Sequence, residues 1–350
     1  MELIGSAALA VASPSVSLLG ESPRWDDARG SLWWVDITGR ALHELATDGT
    51  TTTRELDRAA GAVMLAADGR LLLATEAGLE LFDPSTTAAQ VVTPIEAEDA
   101  SRRMNDAAVD PSGRVYAGTM RWDDAGSPPH DGVLYLVDGP GAAVPVLDGL
   151  GCPNGLAWPR RDLLAYIDSM TRSIALWTID PESGALLEQT GSIDVSGFDG
   201  VPDGMTLDAE GALWVAFWNG SAVRRFALDG AVLTTIEVPT PLVTSVAFGG
   251  DELATLYITT ASPEPEADIA APASASAPAS ASAPASASAP ASPSASASAS
   301  ASASASASAP ASVPAAPDPA AGRIYRCTPG QRGVLPTAWT PPAPTTSPAP

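Results

Sequence analysis

The sequence contains no lysine, so all 18 of its basic residues are arginine; they face 41 aspartate and glutamate residues, for a formal net charge of -23. Nucleic acid and anionic membranes both need a cationic surface, so this balance argues against either as a partner and favours cation binding. Cysteine is almost absent. Cys152 and Cys327 lie far apart and outside any C-x-x-C arrangement, which excludes a disulfide framework and leads us to expect two reduced thiols in a cytoplasmic protein. The two histidines, His43 and His130, read as a strand residue and a loop residue, and no Ser-His-Asp arrangement is apparent. No apolar run reaches the roughly eighteen residues of a membrane span. The first residues are apolar but open with Glu2 and lack a basic start, so they read as a strand rather than a signal peptide. Long helical periodicity is also missing.

What the chain does contain is a period. A short turn, Asp-x-x-Gly at Asp27–Gly30, Asp110–Gly113 and Asp208–Gly211 and a variant at Ala67–Gly69, Arg160–Asp162 and Gly249–Asp251, then a short apolar strand, recurs six times, in most units followed by a second turn and strand. Anchored on Trp33, Leu72, Tyr116, Tyr166, Trp214 and Tyr257, the steps are 39, 44, 50, 48 and 43 residues. Repeats of about 40–50 residues with several short strands each mark a β-propeller, so the expected fold is all-β, a single six-bladed propeller over residues 1–339. Glycine supplies the positive φ of a tight hairpin and aspartate caps its own turn. The apolar stretch Ala8–Leu19 is the natural donor of a strand that completes the last blade and removes its exposed edge.

The sixth unit is interrupted over about 262–320 by Ala/Ser/Pro repeats. Such a segment has no large apolar side chains to offset its ordering entropy, so a disordered insertion is expected there. Strand-like sequence resumes at Gly322–Cys327, and the Pro-rich end, 340–350, reads as a loose tail.

Four polar motifs stand ahead of strand-like runs: L-G-E-S-P at Leu19–Pro23, R-M-N-D at Arg103–Asp106, P-N-G-L at Pro153–Leu156 and P-D-G-M at Pro202–Met205. In a propeller the starts of the innermost strands converge at one mouth of the central channel. Glu21, Asn154 and Asp203, each placed in a loop just before an inner strand, would then form a set of oxygen donors. That set suits Ca²⁺, Mg²⁺ or Mn²⁺; Zn²⁺ is possible, though no His or Cys is placed to favour it. Singly, each Asp-Gly or Asn-Gly reads as a turn; the shared position within the repeat carries the inference. Asp168 either touches this site or holds the neighbouring turn. Asp106 reads as a residue that fixes its own loop, Arg102 as surface charge, and Trp122 and Trp218 as blade packing or a sugar-facing wall.

The strings G-E-S-P-R-W, R-M-N-D-A-A-V-D-P-S-G-R-V-Y-A-G-T-M, N-G-L-A-W, Y-I-D-S and P-D-G-M-T-L-D-A-E-G resemble the SMP-30/gluconolactonase/regucalcin family. The resemblance runs roughly from Ser15 to Ala338, outside the insertion. It implies a six-bladed propeller with one catalytic divalent metal ion in the channel, acting on a small-molecule sugar lactone. By the same resemblance Glu21, Asn154 and Asp203 are metal ligands, with Asp203 also the candidate general base, and Arg103, Asn105 and Asp123 bind substrate. Asp123 departs from the family pattern, being one methylene shorter than the usual glutamate. The rival implied by the same family is a non-catalytic Ca²⁺-binding regulatory protein of the regucalcin type.

Overall fold

The computed structural model describes residues 1–122, 130–141, 143–262 and 318–341. Asp123, most of the Ala/Ser/Pro insertion (263–317) and most of the Pro-rich end (342–350) lie outside these residues.

Six sheets follow one another along the chain, and the six anchor residues all fall on the second strand of their sheet. Blade 1 comprises Gly20–Asp26, Ser31–Asp36, Ala41–Ala46 and Thr51–Glu55; blade 2, Ala60–Leu65, Leu71–Thr75, Gly78–Phe82 and Ala89–Pro94. Blade 3 comprises Arg102–Val109, Val115–Arg121, Gly132–Val137 and Ala143–Leu150; blade 4, Pro153–Arg160, Leu163–Asp168, Ser173–Ile179 and Leu186–Asp194. Blade 5 is built on Val201–Leu207, Leu213–Trp218, Ala222–Phe226 and Val232–Glu237, and blade 6 on Val243–Gly249, Thr255–Thr260 and Tyr325–Cys327. The first strand of each blade contacts the first strands of its two neighbours, which closes the ring around a channel.

The hairpin turns work as the repeat implies. Asp110 Oδ1 accepts the backbone N–H groups of Ser112 and Arg114 at 2.8 and 2.9 Å, and Asp208 Oδ1 those of Glu210 and Ala212, both at 2.9 Å. Gly113 and Gly211 follow with φ of 91° and 82°. Both aspartates are buried, and each is neutralised by an arginine at 2.7 Å, Arg114 at the end of the turn and Arg225 on the third strand of its blade. A buried carboxylate without such a partner would cost several kcal/mol, of order 3–5 when one partner is removed.

Side-chain alternation with period two distributes each strand between two neighbours. Trp33 belongs to the apolar cluster between blades 1 and 2, and the adjacent Trp34 to that between blades 6 and 1. Among the described residues, each of the other four blade interfaces also has its own buried cluster.

The N-terminal segment closes the ring as expected, over a shorter span: Ala10 and Val11 pair antiparallel with Arg326 and Tyr325 of blade 6. Two further segments hold the ring and are not legible in the period. Glu2–Ile4 adds a fifth strand to blade 5, parallel to Thr234–Ile236. The chain after Cys327 crosses the channel at the far ends of the inner strands, bridging Gly333 to Asp208 of blade 5 and Trp339 to Ala66 of blade 2. Trp339 is buried in the cluster between blades 2 and 3.

Candidate active site at the mouth of the channel

The four motifs do meet, but not in loops. Glu21, Asn154 and Asp203 lie within the first residues of the inner strands Gly20–Asp26, Pro153–Arg160 and Val201–Leu207. The pairing register shifts just there, between Glu21 and Arg24, Pro153 and Leu156, and Pro202 and Met205, and the other three inner strands shift at the equivalent place. A bulge bends a strand and re-aims its side chains; six in a ring turn those of the first residues into the mouth.

The glycine of each Asn-Gly and Asp-Gly pair therefore serves close approach rather than a turn. A Cβ on Gly155 would lie 2.8 Å from the carbonyl oxygen of Asp203, and one on Gly204 would overlap the Ser245 side chain. Without side chains at these two positions, blades 4, 5 and 6 pack backbone against neighbour at the level of the site.

Glu21, Asn154 and Asp203 are buried. Glu21 Oε2 accepts the Ser22 N–H at 3.0 Å; Ser22 takes the left-handed conformation (φ 51°) and ties its hydroxyl to Val63 of blade 2. The Asn154 amide hydrogen-bonds Asp203 and donates to Ser169 Oγ at 3.1 Å. Burial pushes the Glu21 carboxyl well above the usual carboxylate range, and the charges of Asp203 and then Asp106 push it further. Asp203 is raised for the same reasons, burial first and Asp106 next, opposed by the Asn154 hydrogen bond and the Arg103 charge.

Asp106 thus does two things. It fixes its own strand, accepting the Ala107 N–H at 2.7 Å, and it also faces the two acids. Its carboxyl is raised by burial, and the Arg24 charge opposes this. Arg24 donates to the backbone carbonyls of Pro23 and Ala107, and is the nearby counter-charge to Asp106 and Glu21.

Arg103 and Asn105 stand beside this acidic group. Arg103 Nη1 donates to Asn105 Oδ1 at 2.6 Å and to the Met104 carbonyl at 3.1 Å, while Asn105 Nδ2 donates to the Pro153 carbonyl at 2.7 Å. Asn105 is therefore locked to the strand that carries Asn154. Arg102 is not surface charge: its side chain is buried and bonded to Glu96 at 2.6 Å, to Thr119 on the neighbouring strand and to the Asp131 carbonyl. Asp123 lies outside the described residues.

Asp168 holds the neighbouring turn, accepting the N–H groups of Gly151, Cys152 and Met170 at 3.0, 2.9 and 3.2 Å. Cys152 is a site residue that the reading of cysteines by redox compartment overlooked. Its Sγ lies 3.6 Å from Asn105 Nδ2 and 3.8 Å from Asn154 Nδ2. Burial, with Asp203 next, pushes its thiol up to about 12, so it sits there protonated. Its place two residues before Asn154 was the available signal. His43 is a buried strand residue stacked on Trp34, and His130 is exposed.

Among the described residues no three His, Cys, Asp or Glu side chains are grouped so as to hold a metal ion by themselves. Any cation here would take two carboxylates and the Asn154 amide oxygen. The donor chemistry fits a hard divalent cation: acids whose charged forms are destabilised by burial and by one another are relieved by added positive charge. A separate cavity of about 320 Å³ lies at the far end of the channel, under Val334–Thr337. Its walls combine apolar side chains such as Met64, Leu156 and Met205 with Arg24, and no aspartate or glutamate lines it. The carboxylates stand at the mouth instead, on Glu21, Asp106 and Asp203.

Residues 19–262 match the family description "SMP-30/Gluconolactonase/LRE-like region". The chain belongs to this family. It is 36% identical over 249 residues to "Pentonolactonase XacC" of Haloferax volcanii, covering 69% of this chain and 81% of that protein. It is 31% identical to "Regucalcin" of Gallus gallus, covering 70% and 83%. In fold it matches the crystal structure of a calcium-binding protein, regucalcin, from Agrobacterium tumefaciens, with a TM-score of 0.76, 24% identity and coverage of 97% and 99%. No helix among the described residues is long and apolar enough to cross a membrane.

Proposed function

We propose that the protein hydrolyses a sugar lactone with the help of one divalent cation held by Glu21, Asn154 and Asp203. The observation that supports this most is the meeting of two buried carboxylates, both raised by burial and neighbouring acids, with an amide, faced by Arg103 and Asn105. A pure ion binder has no use for the latter pair. When bound, such a cation, whether Ca²⁺, Mn²⁺, Mg²⁺ or Zn²⁺, supplies Lewis acidity to a carbonyl oxygen and acidifies water.

The chain's own residues do the rest. Arg103 and Asn105 hold the hydroxyl groups of the ring and steady the negative charge that develops on the carbonyl oxygen. Asp203, ionised beside a cation, accepts the proton of the attacking water. The water oxygen bonds to the carbonyl carbon, the ring C–O bond breaks, and the proton passes from Asp203 to the departing ring oxygen, giving the open hydroxy acid. The single-propeller reading of 1–339, interrupted over 262–320, goes with this account, since blades 1, 3, 4 and 5 each contribute a group.

The test is a panel of aldonolactones, D-glucono-1,5-lactone and five-carbon analogues included, assayed against each of the four cations after EDTA treatment. Turnover of at least one lactone above its spontaneous rate is expected. The rival reading, a non-catalytic Ca²⁺-binding regulatory protein, draws on the relatives named regucalcin; it predicts cation binding with no turnover of any member of the panel.

A further inference from the structure

Arg103 rests on a constructed seat. Its guanidinium carbon lies 5.2 Å from the ring centroid of Trp122, over the indole face. Trp122 is itself fixed at two points. Its backbone N–H donates to the Ser101 carbonyl at 2.9 Å, and its indole Nε1 donates to Glu76 Oε1 at 3.0 Å. Glu76 stands at the tip of the two-residue turn between Leu71–Thr75 and Gly78–Phe82 of blade 2. That tip is locked from both sides: the Glu76 N–H donates to the Ala59 carbonyl at 3.2 Å, and the Ala59 N–H returns to Glu76 Oε2 at 3.1 Å. One carboxylate oxygen is thereby held by the backbone next to the inner strand of blade 2, and the other serves as a fixed acceptor for the indole.

We propose that Trp122 and Glu76 are positioning residues, a seat that orients the Arg103 guanidinium toward the lactone and so sets how tightly substrate is bound. The inference rests on the reading that Arg103 binds substrate. A free arginine side chain loses rotamer entropy when it grips a ligand. Stacking on an aromatic face attracts the guanidinium and orders its plane beforehand. The Asn105 bond at 2.6 Å fixes Nη1 within that plane. The indole N–H bond to Glu76 keeps the ring from rotating away, so its removal acts on Arg103 without touching it. Neither residue touches the acids, so the seat should act on binding more than on the chemical step.

The test compares Trp122→Leu, Trp122→Phe and Glu76→Gln with wild type in two readouts. In lactone kinetics, Trp122→Leu should raise KM roughly tenfold, the conversion of about 1.4 kcal/mol, with kcat within about twofold. Trp122→Phe, which keeps an aromatic face, should recover part of the loss. Glu76→Gln can accept only one of the two N–H groups and should fall between. In ¹⁵N-arginine spectra, the Nε–Hε resonance of Arg103, assigned by its loss in Arg103→Lys, should carry a ring-current shift that Trp122→Leu abolishes. This second readout needs no turnover: if wild type hydrolyses no lactone, the lactonase reading fails while the spectra still decide whether the seat exists. An Arg103 resonance unmoved in Trp122→Leu overturns the proposal. So does an unchanged KM accompanied only by a lower Tm, which is what a merely structural tryptophan would give. Should Trp122→Leu not fold, Glu76→Gln and Trp122→Phe carry the same two outcomes.

Discussion

Asp168 accepts the backbone N–H groups of both Gly151 and Cys152, at 3.0 and 2.9 Å, and so clamps the turn that leads into Asn154. The carboxylate is buried, and it belongs to the second strand of the same blade. A single acid thus fixes the approach of the inner strand from which the site amide projects.

Replacing it should loosen the site before it unfolds the blade. Hydrogen bonds to a charged group are worth about 1.5–3 kcal/mol each, but they share one carboxylate, so Asp168→Ala should lose about 2–4 kcal/mol of stability. Asp168→Asn should lose less. Thermal unfolding measures this, and the Asp168→Ala protein should also bind the cation more weakly.

The pH dependence follows from the raised carboxyls. Glu21 and Asp203 are lifted above their unfolded values by burial and then by neighbouring acids. A native state that holds protons more tightly than the unfolded chain loses stability as pH rises from the unfolded carboxylate value, about 4, through the raised native values. Above them the loss is complete. Metal-stripped protein should therefore melt at a lower temperature at pH 8 than at pH 5. Saturating divalent cation should flatten this slope, and a scan of Tm against pH with EDTA and with cation reads both.

Asp203→Asn separates catalysis from folding. It removes a destabilised buried charge, so the metal-stripped variant should be at least as stable as wild type. Its lactone turnover should fall by about 10²–10⁴-fold through loss of the base, and further if cation affinity falls as well. Retained turnover in Asp203→Asn at saturating cation would remove Asp203 from the role of base.

The C-terminal crossing carries a prediction about the ring as a whole. Trp339 is buried between blades 2 and 3, and its backbone N–H donates to the Leu65 carbonyl at 2.8 Å. Trp339→Ala should cost about 3–5 kcal/mol, as for other large-to-small core changes. Denaturant titration measures the loss.

The repeat was legible because the blades share the same local physics: a tight turn, capped by aspartate in blades 1, 2, 3 and 5, then an apolar second strand holding Trp33, Leu72, Tyr116, Tyr166, Trp214 or Tyr257. Partnerships set only by the closed ring were not. Nothing near Glu2–Ile4 names Val232–Glu237 as its partner, and nothing near Trp339 names Leu65. At the site, Glu21, Asn154 and Asp203 were visible as oxygen donors at one repeat position. Their place inside bulged strands was not, because Asn-Gly and Asp-Gly read locally as turns, whereas here the glycine answers to a neighbouring blade. Arg102 looked exposed because two of its partners, Thr119 and Asp131, are brought to it only by the pairing of its own blade.

The most direct test of the account is the initial rate of D-glucono-1,5-lactone hydrolysis by metal-stripped protein as one divalent cation is titrated back. The account predicts a rate no higher than the spontaneous one at the start, rising to saturation with a single cation bound per chain. A full rate in the stripped protein, unchanged by added cation, would contradict it.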